Sequence, residues 1–142
     1  MSKEKALLNS VYQSSRMGVE SINNIISKVE NNQIRDRMLK DKNTFDEIAN
    51  SAADMIFQMG EKPEEKSVFS KFGAEIGAKM SVMNDNSTTK IAEMMMQGAS
   101  CGIVEVTRAV KSAPDAKPEA QQIANNLIGL QERIFSDYKV YL

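Results

Sequence analysis

The chain of 142 residues carries 18 Lys and Arg against 19 Asp and Glu, a formal net charge of −1. This charge balance excludes the basic face that proteins use to neutralise nucleic-acid phosphates, so we expect no nucleic-acid partner. The chain contains no histidine and a single cysteine, Cys101, which excludes a disulfide framework and removes the usual base of a Ser or Cys triad. Its length predicts one domain, 1–142, with a substantial core.

Neither an export signal nor a membrane span is predicted. Residues 1–8 lack the apolar core of a signal peptide. The longest uncharged run, 120–131, is shorter than the roughly 20 residues that a membrane-spanning helix requires. We therefore expect a cytoplasmic protein without membrane insertion.

Two long helices are predicted first in the chain, at about 3–30 and 33–59, because apolar residues recur there at helical spacing. The short turn at Asn31 and Asn32 predicts that the two helices pack antiparallel. Gly60 is the expected C-terminal cap of the second helix. The predicted core faces comprise Leu7, Val11, Gly18, Ile22, Ile25 and Val29 in the first helix, and Ile34, Met38, Phe45, Ile48, Ala52, Ile56 and Met59 in the second.

A shorter crossover helix is predicted at about 67–83, after the solvated loop 61–66. About 17 helical residues span roughly 25 Å, enough to carry the chain from one end of a bundle to the other. The central helix, 85–110, would then run parallel to the second helix. Asp85 and Ser87 are expected to cap its start.

The central helix is the most apolar in the chain, since no residue between Glu93 and Glu105 is charged. We therefore expect protein to surround most of its middle. Gly98 and Gly102 each cost about 1 kcal/mol relative to Ala, which predicts the close approach of another backbone. Cys101 is expected to be a structural side chain rather than a redox thiol. The predicted core face comprises Ile91, Met94, Met95, Gly98, Cys101, Gly102, Glu105 and Ala109.

The last helix is predicted to begin at Pro118, a residue favoured at the first helical position, after the loop 111–117. Its predicted core face comprises Ile123, Leu127, Leu130, Ile134, Tyr138 and Tyr141, with Gln131 also facing inward. No alternating strand pattern competes with these helices. Two helical hairpins joined by a crossover predict an all-α, ferritin-like four-helix bundle with a short crossover helix.

Four segments carry a resemblance to a known family: Met59-Gly-Glu-Lys-Pro63, Phe72-Gly-Ala74, Ile91-Ala-Glu-Met-Met-Met-Gln-Gly98 and Gly102-Ile103. Together they resemble uncharacterised bacterial ferritin-like proteins that form a domain of unknown function. The resemblance covers most of the chain, but its motifs are helix-packing residues. It implies the fold and little about activity.

A ferritin-like fold raises the hypothesis of a di-metal carboxylate centre, as in an oxidase, a peroxide scavenger or an iron store. Such a centre takes a Glu from two helices and a Glu-x-x-His pair from each of the others, and this chain has no histidine. Asp41 and Glu105 are carboxylates on predicted core faces, and Gln131 lies where a ligand would. In parallel helices the two carboxylates would be roughly 16 Å apart along the axis, against ~4 Å between paired metals.

These considerations predict no bound metal and no cofactor. Glu105 is expected to be a buried carboxylate paired with Arg108 or with hydrogen-bond donors. Asp41 lies between Lys40 and Lys42 and is expected at the edge of its helix face. A carboxylate-only metal site that includes Glu105 stays the alternative.

Other motifs have a packing explanation and a functional one. The consecutive Met94, Met95 and Met96 point 100° apart on a helix, so they cannot converge on Cu(I) and are expected to fill the core. The segment 98–102 lies within a helix, where backbone N–H groups are already bonded, which excludes a phosphate loop. Gly73 and Gly77 are expected in packing within the bundle, or in a dimer contact if they face outward.

We therefore expect a non-enzymatic structural or interaction protein, with an unknown protein partner or with itself as partner, a homodimer included. The alternative function is that of an atypical metal-binding ferritin-like protein. A third hypothesis, a pocket for a small apolar ligand between helices, requires a cavity beside Gly98 and Gly102. A fully packed seam there would exclude such a pocket.

Overall fold

The computed structural model describes residues 2–65 and 87–142. They form four long helices, α1 (Lys3–Ile25), α2 (Asn32–Gln58), α3 (Thr88–Ser112) and α4 (Pro118–Asp137), with 3-10 turns at Ile26–Lys28 and Tyr138–Tyr141. The predicted all-helical class is confirmed for these residues, which contain no strand. The predicted crossover helix, with Phe69, Gly73, Gly77, Met80 and Met83, and the proposed cap Asp85 lie outside the described residues. Within 2–65 and 87–142, no helix is long and apolar enough to cross a bilayer.

Polar side chains fix three of the helix starts. The side chains of Ser2, Asn31 and Ser87 each accept a hydrogen bond from the backbone N–H of the third residue of α1, α2 and α3, respectively. Gly60 caps the end of α2 as predicted, and its φ of 79° is one that glycine adopts readily. The N–H of Gly60 donates a hydrogen bond to the carbonyl of Phe57.

Three polar contacts give the directions of the helices. A Lys5 to Glu61 ion pair of 3.1 Å joins the start of α1 to the end of α2, so these helices are antiparallel. An ion pair of Arg37 with Asp137 joins the start of α2 to the end of α4. At the same end, the Thr89 hydroxyl at the start of α3 donates to the carbonyl of Tyr141. Helices α2 and α3 therefore both run antiparallel to α4 and parallel to each other, as predicted.

All four helices contribute to one core. Helix α1 packs against α2 and α3, and α4 packs against α2 and α3 on the other side. Most residues of the predicted core faces of α1, α2 and α4 are buried, although Met59 is exposed and Gly18 and Tyr141 are only partly covered. The largest fully buried side chains are Tyr138, Leu7, Leu8, Ile22, Ile25, Ile34, Met38, Ile56, Ile91, Leu127, Leu130 and Ile134.

The predicted core face of α3 is partly wrong. Four of its residues are only half-buried: Gly98, Cys101, Glu105 and Ala109. The other four are buried as predicted, and they are joined in the core by Ala92, Ala99 and Val106 at intervals of one heptad. The small side chains of Ala92 and Ala99 let α3 approach its neighbours closely. The middle of the helix is also not surrounded by protein, since Gln97, Ser100 and Val104 are exposed.

Candidate functional site

Asp41 lies in the core rather than at the edge of its helix, with 5% of its surface exposed. The Tyr138 hydroxyl donates a hydrogen bond of 3.1 Å to Asp41 Oδ2. Burial raises the pKa of Asp41, whereas the hydrogen bond and the positive charges of Arg37 and Arg133 act to lower it. The prediction that Asp41 lies at the edge of its helix face, which rested on the flanking Lys40 and Lys42, is therefore wrong. The partner that Asp41 has in the core, Tyr138, is 97 positions away in the chain.

Tyr138 is fully buried in the 3-10 turn that follows α4. Burial, and then the neighbouring Asp41 carboxylate, raise the pKa of its phenol far above the ordinary value. The pair fastens α2 to the C-terminal end of the chain. A fully buried phenol and a nearly buried carboxylate suit a structural hydrogen bond better than proton exchange with a substrate.

Glu105 is half-buried and forms an ion pair of 3.6 Å with Arg108, one turn along α3. The expected pairing with Arg108 is confirmed, but the expected burial of Glu105 is wrong. Asp41 is bonded to Tyr138 and Glu105 is paired with Arg108 on its own helix, so the two carboxylates have separate partners. In the described part of the chain, no group of three or more Asp, Glu or Cys side chains is placed to hold a metal ion.

Gln131 faces inward as predicted, with 2% of its surface exposed. Its Nε2 donates a hydrogen bond of 3.0 Å to Ser14 Oγ, while its Oε1 has no hydrogen-bond partner within 2–65 and 87–142. A Cβ atom at Gly102 would overlap Nε2 and lie 2.7 Å from Cδ of Gln131. The close approach expected at Gly102 is therefore made by a side-chain amide rather than by a backbone.

A cavity of about 40 Å³ lies beside Gln131, between α1, α2, α3 and α4. Gly98 borders it, and a Cβ atom there would meet no atom within 4 Å among the described residues, so these residues do not make the close approach expected at Gly98. Ser14, Ser21 and Gln131 are the polar residues in a lining otherwise dominated by Met, Phe and small residues. The lining comprises Ser14, Met17, Gly18, Ser21, Phe45, Met94, Met95, Gly98, Ala99, Gln131 and Ile134.

The hypothesis of a pocket for a small apolar ligand required a cavity beside both Gly98 and Gly102. Free space lies beside Gly98, whereas the Gln131 side chain fills the space beside Gly102. Leaving a buried acceptor unpaired costs about 1–3 kcal/mol of folding free energy, so the unpaired Gln131 Oε1 lowers the stability of this region. The sequence signal for the cavity was the coincidence of a helical glycine with inward polar residues, Ser14 and Gln131. Its position could not be derived from that signal, because it depends on the rotation of all four helices.

A second concave surface lies on the solvent side of α3. We call it the α3 groove; it is a shallow depression of about 630 Å³, widely open to solvent, and it is lined by Glu93, Met96, Gln97, Ser100, Cys101, Phe135 and Leu142. Leu142 is 60% exposed, and Val104, one turn from Cys101 on the same helix, is 45% exposed. Burial and the nearby Glu105 raise the pKa of the Cys101 thiol. This thiol is therefore protonated at neutral pH, as expected of a structural rather than a catalytic cysteine.

Comparison with known proteins yields no relative. No protein-family model matches the chain, and neither a curated protein nor a solved structure matches it.

Proposed function

We propose that the chain is a non-enzymatic helical bundle of ferritin-like topology that acts by self-association, with the α3 groove as its contact surface. The topology is supported by the antiparallel pairs α1/α2 and α3/α4 and by the parallel direction of α2 and α3, which is the arrangement produced by one crossover connection. The single observation that carries the function is the uncharged, partly apolar outer face in the middle of α3.

That face differs from an ordinary solvated helix surface. Residues 94–104 carry no charge, yet Gln97, Ser100 and Val104 are exposed. Phe135 and Leu142 extend the apolar surface onto the C-terminal end of the chain. An exposed surface that combines large apolar side chains with a polar rim is typical of a protein contact.

The pattern of charges favours a second copy as the partner. Glu93 and Arg108 lie on this outer face, one on each side of the uncharged middle, at helical spacing. If two α3 helices pack antiparallel about a twofold axis between Ser100 and Cys101, Glu93 of each copy lies opposite Arg108 of the other. A twofold contact forms this pair twice and matches the uncharged segments with each other.

The native cysteine provides a direct test. Because the axis passes beside Cys101, the two thiols of a dimer lie close together, and the chain has no other cysteine to react. We expect copper-phenanthroline oxidation at mildly alkaline pH to give a disulfide-linked dimer on a denaturing gel, and light scattering to give twice the chain mass. Cys101→Ser should remove the crosslink and retain the dimer.

Two sets of variants separate this surface from others. Val104→Asp should give a monomer, whereas Leu39→Asp, an equally exposed apolar residue on α2, should leave the dimer unchanged. Glu93→Lys should lower the affinity of the dimer by about tenfold or less. The double variant Glu93→Lys/Arg108→Glu, which exchanges the two charges, should restore the affinity. A monomer at all concentrations contradicts the proposal. A dimer that survives Val104→Asp and shows no crosslink assigns the contact to another surface.

A further inference from the structure

The cavity between the four helices has a predominantly apolar wall. Each helix contributes at least one large apolar side chain to this wall: Met17, Phe45, Met94, Met95 and Ile134. Ser14 and Gln131, two of the polar residues in the lining, are hydrogen-bonded to each other. A buried water needs about two to four polar partners, which this wall does not offer, so an apolar molecule suits the cavity better than water does.

The cavity reaches the surface between α1 and α3. Four residues of its lining are only half-buried there and mark its mouth: Met17, Gly18, Ser21 and Gly98. A Cβ atom at Gly98 would meet no described atom within 4 Å, so the missing side chain keeps the mouth open. A slender molecule can therefore enter while the four helices keep their packing.

The volume of the cavity limits the shape of the ligand. A cavity of about 40 Å³ exceeds the ~10–15 Å³ that one water requires, but it is far smaller than the ~150 Å³ of a cavity that holds benzene. It therefore takes roughly two or three carbon atoms of an unbranched chain and excludes a ring or a branched group. The rest of a longer chain leaves through the mouth.

We propose that this cavity binds the end of an unbranched alkyl chain, such as the tail of a short fatty acid. The terminal carbons lie against Phe45, Met94 and Met95, and the methionine side chains adjust their shape to the chain at low cost. The polar head group stays in solvent at the mouth, because burying a charge without a partner is costly. The cavity lies in the core and the α3 groove faces solvent, so this inference does not rest on self-association.

The test is a titration of the full chain with sodium hexanoate, followed by NMR of ¹³C-labelled methionine methyl groups. We expect saturable shifts at Met17, Met94 and Met95, whereas Met38 and Met55 on α2, which do not line the cavity, should not respond. The isomer 3,3-dimethylbutanoate has the same charge and composition but ends in a tert-butyl group. It should bind about tenfold more weakly or less, because this end is too wide for the cavity.

Glycine variants provide a matched control. Gly98 and Gly129 are both helical glycines at which a Cβ atom meets no described atom within 4 Å, but of the two only Gly98 borders the cavity. Gly98→Leu places a large side chain in the mouth and should abolish hexanoate binding, whereas Gly129→Leu should leave the affinity unchanged. Gly98→Ala adds a single methyl group at the same point. It should weaken binding severalfold and serves if the leucine variant does not fold.

Three results would overturn the proposal. If hexanoate gives no saturable shift at Met17, Met94 or Met95, the cavity is a packing defect that takes up no alkyl chain. If hexanoate and 3,3-dimethylbutanoate bind equally well, the chain end does not enter a narrow cavity. If Gly98→Leu and Gly98→Ala both bind hexanoate as the natural chain does, the ligand lies elsewhere on the protein.

Discussion

Gly102 shows how one missing side chain supports a buried polar group. A methyl group at this position would overlap the amide of Gln131, which the hydrogen bond to Ser14 holds in place. We expect Gly102→Ala to lower the free energy of unfolding by about 1–3 kcal/mol, even though alanine is the better helix former. Urea denaturation monitored by circular dichroism measures this difference.

Gly129→Ala is the control for this prediction, because it makes the same change on an exposed helical surface with open space around the new methyl group. It should raise the free energy of unfolding by about 0.5–1 kcal/mol. Equal effects of the two substitutions would show that the Gln131 amide moves freely. Combining Gly102→Ala with Gln131→Ala should recover part of the loss.

At single residues, the contacts that depend on spacing within one helix were predicted, whereas the contact between distant parts of the chain was not. The inward position of Gln131 and the pairing of Glu105 with Arg108 both followed from local helical spacing. The Asp41 contact with Tyr138 did not, because its two residues are 97 positions apart in the chain. No periodicity within one helix contains information about which side chain of another helix lies opposite.

At the scale of elements, the start of α2 depends on one cap. The Asn31 side chain accepts a hydrogen bond of 3.0 Å from the N–H of Ile34, a donor that has no partner within the helix. We expect Asn31→Ala to lower the free energy of unfolding by about 1 kcal/mol, measured by urea denaturation. Asn31→Asp keeps the acceptor and adds a charge that favours a helix start, so it should be at least as stable as the natural chain. Equal losses for both variants would contradict the capping role.

The same signals explain which helix boundaries could be predicted. Asn31 and Gly60 bracket α2, and both of its ends agree with the prediction to within one residue. Helix α1 has no such residue at its end and stops at Ile25, before the predicted end near Glu30. The 3-10 turn that follows brings Val29 into the core, so packing rather than a local stop signal ends this helix.

At the scale of the whole molecule, the length of the connections predicted the directions of the helices, and these directions agree with the polar contacts between helix ends. The cavity and the α3 groove could not be predicted, since both depend on how far each helix is rotated about its axis. The buried face of α3 contains Met94 and Met95 as predicted, but Cys101 and Glu105 lie beside it and are only half-buried.

The buried Asp41 makes the stability of the whole molecule depend on pH. Because burial raises the pKa of Asp41 in the folded chain above its ordinary value of 3.8, folding becomes less favourable as the pH rises from there through the folded-state pKa. We expect Asp41→Asn to raise the thermal midpoint at about pH 7 and to change it much less at about pH 3, below the ordinary value, where the carboxyl group is protonated in the folded and the unfolded chain. Calorimetry at both values measures this difference.

The control for Asp41→Asn is Asp36→Asn, which removes the same charge from an exposed position on α2. Its effect should be small and should not follow the pattern of Asp41→Asn. A stabilisation by Asp41→Asn that is equal at the two pH values would show that desolvation of the carboxylate is not its cause.

Tyr138 also gives the molecule a built-in optical marker. The chain has three tyrosines and no tryptophan, so its near-ultraviolet absorption changes when a phenol ionises. The folded chain holds the pKa of the Tyr138 phenol far above 10.0, so the stability linked to this group is complete below pH 10.0 and declines above it. Tyrosinate absorption from Tyr138 should therefore appear only as the bundle opens, which lets an alkaline titration record global unfolding without a dye or a label.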